Sequence, residues 1–342
     1  MPDNAVEDAA RPTFALVIPT HQRPEFVVQA VESALRQSRP FDQVIVVADG
    51  VDDAAIAALD GMPIELHAIE HAGVAAARNA GVRHARADWV CFLDDDDLLH
   101  PDYLSRLVAE VVAAPHIGAM NARYWSFAAH AGPDDEFSAS NLDECLEAIR
   151  MAVAKKDLKY LEIEGRSFDL LLERLRGSMS TAAVRRELLL RAGGFPHGMV
   201  TAEDWAMYVN VARLTEWRLL GERLAFFRDH ARTATRSGSA LQGLTALRVI
   251  RSFWMPSTLP TPPHRALSAY RQHYRHVLGW ALQACWRAHD LRAYLDALAI
   301  ARDILPRRTD RLRAAIPMWL RRHARRFRRQ SLRLRRCSSR QR

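Results

Sequence analysis

Short apolar runs alternate with amphipathic helical stretches through the first 110 residues. This restricts the chain to serial βαβ units and a mainly parallel sheet. The runs are Phe14 to Ile18, Val44 to Ala48, a weaker alternating one at Ile64 to Ile69, and Trp89 to Leu93. Between them, Glu25 to Arg36 places Phe26, Ala30, Val31, Ala34 and Leu35 near helical spacing, and Val74 to Arg86 is Ala-rich with one apolar face. Pro101 opens a further helix with Leu104, Leu107, Val108 and Val111 inside.

Beyond residue 120 the pattern is less regular. Tyr124 to Phe127 reads as a strand, Gly132 to Asp135 as a loop and Leu142 to Leu161 as a helix. Ser180 to Ala192 reads as a helix stopped by Gly193-Gly194, and another helix runs from near Thr201 through Ala212. Pro256, Pro260, Pro262 and Pro263 mark a linker before a helical stretch from Ala266 to Ile304. The expected parts are a disordered 1–11, two halves of one α/β domain at 12–120 and 121–236, a helical extension at 237–305 and a basic tail at 306–342.

In an open parallel sheet, ligands bind beyond the carboxyl ends of the strands. All four runs end in polar residues: Thr20-His21-Gln22-Arg23, Asp49 through Asp53, Glu70-His71, and Asp94-Asp95-Asp96-Asp97. The last set lies between apolar Phe92-Leu93 and Leu98-Leu99. Adjacent carboxylates repel, so the cluster fits either a bound cation or a solvated acidic turn capping the next helix. In an extended segment Asp94 and Asp96 share one side, and hard oxygen ligands suit Mg²⁺ or Mn²⁺. No glycine-rich phosphate loop of either the dinucleotide or the P-loop type occurs, which leaves a carboxylate-held metal to do that work.

With 342 residues and 49% hydrophobic residues, the chain can bury a full core, which excludes a disordered chain or a disulfide-built miniprotein. Cys91, Cys145, Cys285 and Cys337 are far apart without a paired motif, as expected for free thiols in a reducing cytosol. The net charge of +8 is unevenly placed: residues 306–342 carry 15 arginines and one acid, leaving −6 on the rest. In that tail Leu312, Ile316, Trp319, Leu320, His323 and Phe327 recur at helical spacing among arginines. This is the pattern of an amphipathic helix on an anionic membrane surface, and nucleic acid attracts the same charge. No signal peptide or spanning segment is readable.

Several segments occur in an order that resembles family 2 glycosyltransferases. They are Val17 to Pro24, Val46 to Gly50 with Asp52-Asp53, Gly73 to Gly81, Trp89 to Asp97, Gly193-Gly194-Phe195, Ala202 to Trp205, and Arg228-Asp229-His230. The resemblance covers about residues 12 to 236. It implies a GT-A nucleotide-diphospho-sugar transferase fold, a Rossmann-like α/β arrangement with a C-terminal helical extension. It further implies an inverting transfer of sugar from a nucleotide donor to a saccharide or lipid-linked acceptor in envelope polysaccharide or glycolipid synthesis. The enzyme would be cytoplasmic, at the inner membrane face.

Carried over by position, the resemblance assigns Pro19, Thr20, Arg23 and Asp49 to the base and ribose, and Arg78, Asp94 and Asp95 to the donor. Asp96 and His230 would hold Mn²⁺ or Mg²⁺, with Asp97 behind them. Asp204 is the implied general base, and Glu203, Gly194 and Trp205 lie on the acceptor side. Without the resemblance, Thr201 to Asp204 reads as a helix cap, and Trp205, Trp125 and Tyr124 read as core aromatics or sugar platforms. Where the family has two acids before glycine, this chain has Ala48-Asp49; uridine is the implied base. The rivals are a sugar-nucleotide pyrophosphorylase, which lacks its glycine-rich first loop here, and a non-catalytic nucleic-acid binder using the tail.

Overall fold

A computed structural model describes residues 11–132, 135–151, 163–199, 201–230, 239–255, 260 and 265–315. They belong to two compact units, one including residues up to Arg236, the other Ser237–Pro256 with the chain from Arg265 onward.

The first unit begins with β1 (Phe14–Thr20), α1 (Pro24–Leu35), β2 (Gln43–Asp49), α2 (Asp53–Ala58), β3 (Glu65–Ile69), α3 (Val74–His84) and β4 (Trp89–Phe92). All residues of β1, β2 and β4 are buried, and continuous apolar runs of this kind belong to strands covered on both faces. β1 pairs in parallel with β2 and β4, and β2 with β3, so the carboxyl ends of four strands face one direction. Leu16 and Ile18 point to the face covered by α1, whose Val27, Ala30, Val31 and Ala34 are buried against it. On the other face Val17 meets α3 at Gly81, where even a methyl group would come within 2.3 Å of a Val17 methyl. That close approach fixes the depth at which α3 lies on β1.

Next come β5 (Leu98–Leu99), α4 (Tyr103–Ala113), β6 (Ala119–Ala128), β7 (Phe137–Ser138), α5 (Leu142–Met151), α6 (Phe168–Leu171), β8 (Ala183–Arg185), α7 (Arg186–Arg191), α8 (Glu203–Ala212) and β9 (Trp217–Arg228). The described strands form one sheet in the order β3-β2-β1-β4-β8-β6-β9-β5, with β7 beside β6. β8 runs antiparallel to β4 and β6, and β5 antiparallel to β9. The expected helix at 180–192 is instead a 3-10 turn (Met179–Thr181), the strand β8 and the short helix α7. Ala182, Ala183 and Val184 are fully buried between β4 and β6, and sheet pairing overrides their local pattern. The expected helix from Leu142 is described as far as Met151; 152–161 lie outside the described residues. The strand expected at 124–127 is the end of the longer β6.

The second unit consists of α9 (Ala240–Phe253), α10 (Leu267–Arg287), α11 (Leu291–Ile304) and α12 (Arg308–Ala315). Ser239 and Gln242 start α9 with a reciprocal capping box. The helical stretch expected over 266–304 consists of two helices, because His289 adopts a φ of 53° and Asp290 caps a new helix by accepting the Ala293 N–H at 2.8 Å. Gly243 lets α9 approach Ala281 of α10. The stretch read as a basic tail begins inside this unit: Asp310 of α12 is buried and paired with Arg271 and Arg275 of α10. The remainder, 316–342, with Ile316, Trp319, Leu320, His323 and Phe327, lies outside the described residues, as do Pro256, Pro262 and Pro263. Among the described residues no helix is long and apolar enough to cross a membrane, and Cys91, Cys145 and Cys285 are buried free thiols.

Candidate active site

Two networks of charge converge beyond the carboxyl end of β4. The first is centred on residues 94–97. The segment is not extended as expected: it turns, with the Asp97 N–H bonded to the Asp94 carbonyl at 3.1 Å. The alternation argument for Asp94 and Asp96 therefore fails. Asp95 and Asp96 instead share Arg23, whose Nη1 lies 2.8 Å from Asp95 Oδ1 and 2.7 Å from Asp96 Oδ2. Thr20 donates to Asp95 Oδ2 at 2.9 Å, and His230 Nε2 sits 2.9 Å from Asp96 Oδ2. Pro19 is buried one residue before Thr20 in β1 and contributes backbone rather than a polar group.

These partners separate Asp95, Asp96 and Asp97 electrically. Burial pushes Asp95 up to about 6, with the neighbouring Asp96 charge adding to it and Arg23 opposing. Asp96 is half-buried, more open than Asp95. The His230 hydrogen bond and Arg23 nevertheless outweigh that burial and hold it below the usual carboxylate range. Asp97 is fully buried; burial, then the charges of Asp96 and Asp94, push it well above that range. Asp96 is thus held ionised beside His230.

The residues holding the turn from behind were not singled out from sequence. Ser180 donates to Asp97 Oδ2 at 2.6 Å and accepts the Asp94 N–H at 3.2 Å. Arg228, at the end of β9, gives its backbone N–H to Asp97 Oδ1 at 2.9 Å and its Nε to the Asp96 carbonyl at 2.9 Å. Its guanidinium lies over the rings of Phe26 and Phe127 at 4.9 and 4.7 Å. Arg228 stood beside His230 in the resembling segment, so its position was visible while its contacts were not.

The second network is built on Arg78 of α3, which is buried. Arg78 Nη2 lies 2.6 Å from Asp94 Oδ1, and Nη1 lies 2.6 Å from Glu203 Oε1 at the start of α8. Burial works against its charge, yet Asp94, Glu203 and Asp204 together raise it above the ordinary arginine value. Asp204 follows Glu203, its Oδ1 accepting the Trp205 N–H at 2.7 Å. Burial first, and then the Glu203 charge, push Asp204 up to about 7, with Arg78 pulling the other way. The helix-cap reading of Thr201 to Asp204 is not what occurs. The residue before α8 is Ala202 at φ 63°, and no side chain caps the helix there.

Asn79 explains Gly194. Its side-chain amide bonds both backbone groups of Phe195, donating to the carbonyl at 2.7 Å and accepting the N–H at 2.9 Å. Gly194 has φ +65°, and a Cβ there would lie 2.4 Å from Asn79 Oδ1. Phe195 in turn lies under the Arg78 guanidinium at 5.4 Å. Trp205, expected at the acceptor, is core: it is 5% exposed and its Nε1 donates to the Leu171 carbonyl at 2.6 Å. Tyr124 and Trp125 are half-buried; Trp125 lies under Arg223 at 4.3 Å, and Tyr124 meets Phe227 at 5.5 Å.

Asp49, the last residue of β2, accepts the N–H groups of Ala72 and Gly73 at 2.8 and 2.9 Å. His21 joins it to the aspartate turn: its ring Nδ1 lies 2.6 Å from the Asp49 carbonyl, and its N–H reaches Asp95 Oδ2 at 3.4 Å. Among the described residues, His21, Asp49 and His71 form the one set of three or more metal-ligating side chains whose ligand atoms lie within 4.8 Å of one another. Asp52 caps α2 and takes the Gln22 N–H at 2.6 Å, which shapes the loop before Arg23.

A parallel half-sheet whose polar strand ends meet at an acidic turn places the candidate site in the crevice where open α/β sheets bind ligands. Residues 15–131 match the family described as glycosyl transferase family 2. A succinoglycan biosynthesis protein, ExoO, of Rhizobium meliloti is 36% identical over 107 residues; the chain spans 31% of its length and the match covers 30% of this chain. An uncharacterized glycosyltransferase of Haemophilus influenzae is 20% identical over 79% of this chain and 87% of its own. Among solved structures, S. aureus TarS 1-349 in complex with UDP-GlcNAc matches with a TM-score of 0.61 at 15% identity, covering 85% of this chain and 81% of that one. The mannosyltransferase PcManGT from Pyrobaculum calidifontis, in complex with GDP-Man and Mn2+, matches with 0.53 at 19%, covering 90% and 84%. The fold is that of GT-A glycosyltransferases.

Proposed function

We propose that this chain transfers a sugar, with inversion, from a nucleoside-diphosphate donor, UDP-linked, to a hydroxyl of a saccharide or lipid-linked acceptor. The observation that carries the reading is Arg78, which bonds Asp94 of the aspartate turn and Glu203 beside Asp204 and so links a cation-binding turn to a high-pKa carboxyl. Donor-bound neighbours in the fold comparison support a nucleotide sugar as substrate, and the ExoO relative supports an envelope polysaccharide product.

Asp204 takes the proton from the attacking hydroxyl. Its raised pKa keeps it basic enough to accept that proton, and Arg78 retains its anionic form near neutral pH. Thr20, Arg23 and Asp49 line the base and ribose end, and Arg78 with Asp94 and Asp95 steadies the donor. Glu203 and Gly194 shape the acceptor side. Trp205 serves this site by anchoring α8 rather than by offering its ring.

The donor set of Asp96 and His230 fits a hard divalent ion, because Asp96 is held ionised and His230 already lies within ligand spacing of it. Mn²⁺ or Mg²⁺ bound there would supply charge to stabilise the leaving diphosphate. Residues 316–342 carry 11 arginines and no acid, and we assign them to an anionic membrane face on the cytoplasmic side. The test of the activity is a thermal-shift panel of nucleotide sugars with and without Mn²⁺, since a ligand bound only by the folded state raises its melting point. A metal-dependent shift with one donor class is expected, and no shift with any nucleotide sugar would overturn the reading.

A further inference from the structure

The histidines flanking Asp49 have no part in the transfer reaction as described above, yet they form the most ligand-like cluster in the described chain. We propose that His21, Asp49 and His71 bind a transition-metal ion of the zinc class at the outer end of the crevice, and that this ion and the nucleotide base exclude one another.

The sheet topology itself brings the three together. β1, β2 and β3 are neighbours running in parallel, and His21, Asp49 and His71 lie at or within two residues of their carboxyl ends. Such ends are short, strand-anchored and therefore well placed. Asp49 is oriented before any ion arrives, since Ala72 and Gly73 N–H groups fix both carboxylate oxygens. The two imidazoles are stacked at 4.6 Å, 25° from parallel, which limits their rotation.

The spacing matches a small ion. Ligands about 2.0–2.1 Å from zinc in a tetrahedron are about 3.3 Å from one another. His71 Nδ1 lies 3.1 Å from Asp49 Oδ2, and one ligand atom from each of the three side chains lies within 4.8 Å of the other two, while His21 Nδ1 is held 2.6 Å from the Asp49 main-chain carbonyl. Two ring nitrogens thus converge on oxygens of one residue. An ion seated among them would take the place of the ring protons directed there, releasing any it displaces. Imidazole suits zinc, copper and nickel, whereas the carboxylate-rich site at Asp96 suits Mg²⁺ and Mn²⁺, so the two sites sort ions by chemistry. The side chain of His71 is 63% exposed, which gives an ion an entry path from solvent.

The exclusion rests on the reading of Asp49 as a base contact: a carboxylate engaged by a metal no longer presents that oxygen to a base. By reciprocity, UDP must weaken zinc binding by the factor by which zinc weakens UDP binding.

The experiment is calorimetric titration of the full chain with zinc chloride, without nucleotide, alongside the visible spectrum of the cobalt-substituted protein. One equivalent is expected, with a tetrahedral cobalt band. His71→Gln and His21→Gln should each lower affinity at least about tenfold, while His230→Gln, at the other site, retains the zinc equivalent. His71 is exposed, so its variant does not test folding. Zinc uptake by His71→Gln and His21→Gln equal to the unaltered chain would overturn the site, as would no uptake at all. With the site present, saturating UDP should weaken zinc at least about tenfold; indifference to UDP would overturn the exclusion. UDP failing to bind even the zinc-free chain would sink the transferase reading instead, leaving the metal uptake at His71 to stand.

Discussion

The aspartate turn and the Glu203-Asp204 pair are both carboxylate clusters, and they are neutralised very differently. The turn is met by Arg23, His230, Thr20, Ser180 and the backbone of Arg228. The pair is met by Arg78, which it shares with Asp94. Abundant donors hold Asp96 ionised below the usual range; scarcity lets burial carry Asp204 up to about 7. One cluster is thereby suited to hold positive charge and the other to accept a proton.

The largest effect expected from this division is on turnover. Asp204→Asn should lower kcat by about 10²–10⁴-fold while leaving donor affinity within about twofold, because the change removes a proton acceptor and keeps the shape. Normal turnover in this variant, measured with donor saturating, would break the comparison. Next is Asp96→Ala, which should reduce metal-dependent donor binding by about 100-fold or more, while binding measured without metal changes little. Equal metal dependence in the variant would move the ion site elsewhere.

The pH profile follows from the same contrast. A base must be deprotonated to act, and a carboxyl at about 7 is ionised in only about a tenth of molecules at pH 6. Turnover should therefore rise close to tenfold per pH unit below about 7 and level off above it. The stability contribution has the opposite sense: a raised carboxyl favours folding when protonated, and this share is lost as pH rises from about 4 through about 7. A profile flat from pH 5 to 8 would count against Asp204.

How legible the fold was depended on whether local pattern and tertiary pairing agreed. β1, β2 and β4 are buried on both faces, so their apolar runs announced them. β9 did not, because Gly221-Glu222-Arg223 interrupts its pattern where the register with β6 shifts. β5 is two residues long and exists only through β9. In the site, the types and order of Thr20, Arg23, Arg78, Asp96 and His230 were readable, and the structure brings Thr20, Arg23, Asp95, Asp96 and His230 into one network. The bend of residues 94–97 was not, since it depends on Ser180 and Arg228, more than 80 residues away. The choice between core and sugar platform for Trp205 is likewise not local, since its indole N–H bonds the carbonyl of Leu171, 34 residues away.

The smallest effect sharpens the comparison most, because it alters a support of the turn without touching its carboxylates. Ser180 is 1% exposed and bridges Asp97 Oδ2 and the Asp94 N–H. Ser180→Ala deletes both contacts and leaves Asp97 held by the Arg228 N–H alone on the β9 side. An unsatisfied buried acceptor costs about 1–3 kcal/mol, so a modest loss of stability in urea is expected. The informative readout is metal affinity. If the turn is shaped from behind, Asp96 shifts relative to His230, and Mn²⁺ binding in the presence of UDP should weaken by a few-fold, about 1 kcal/mol or less. Asp204 lies on the other network, so the pH midpoint of turnover should stay where it is. A Ser180→Ala protein whose midpoint moved while its metal affinity did not would show that the two carboxylate clusters titrate as one unit and that their division of labour is not set by their separate partners.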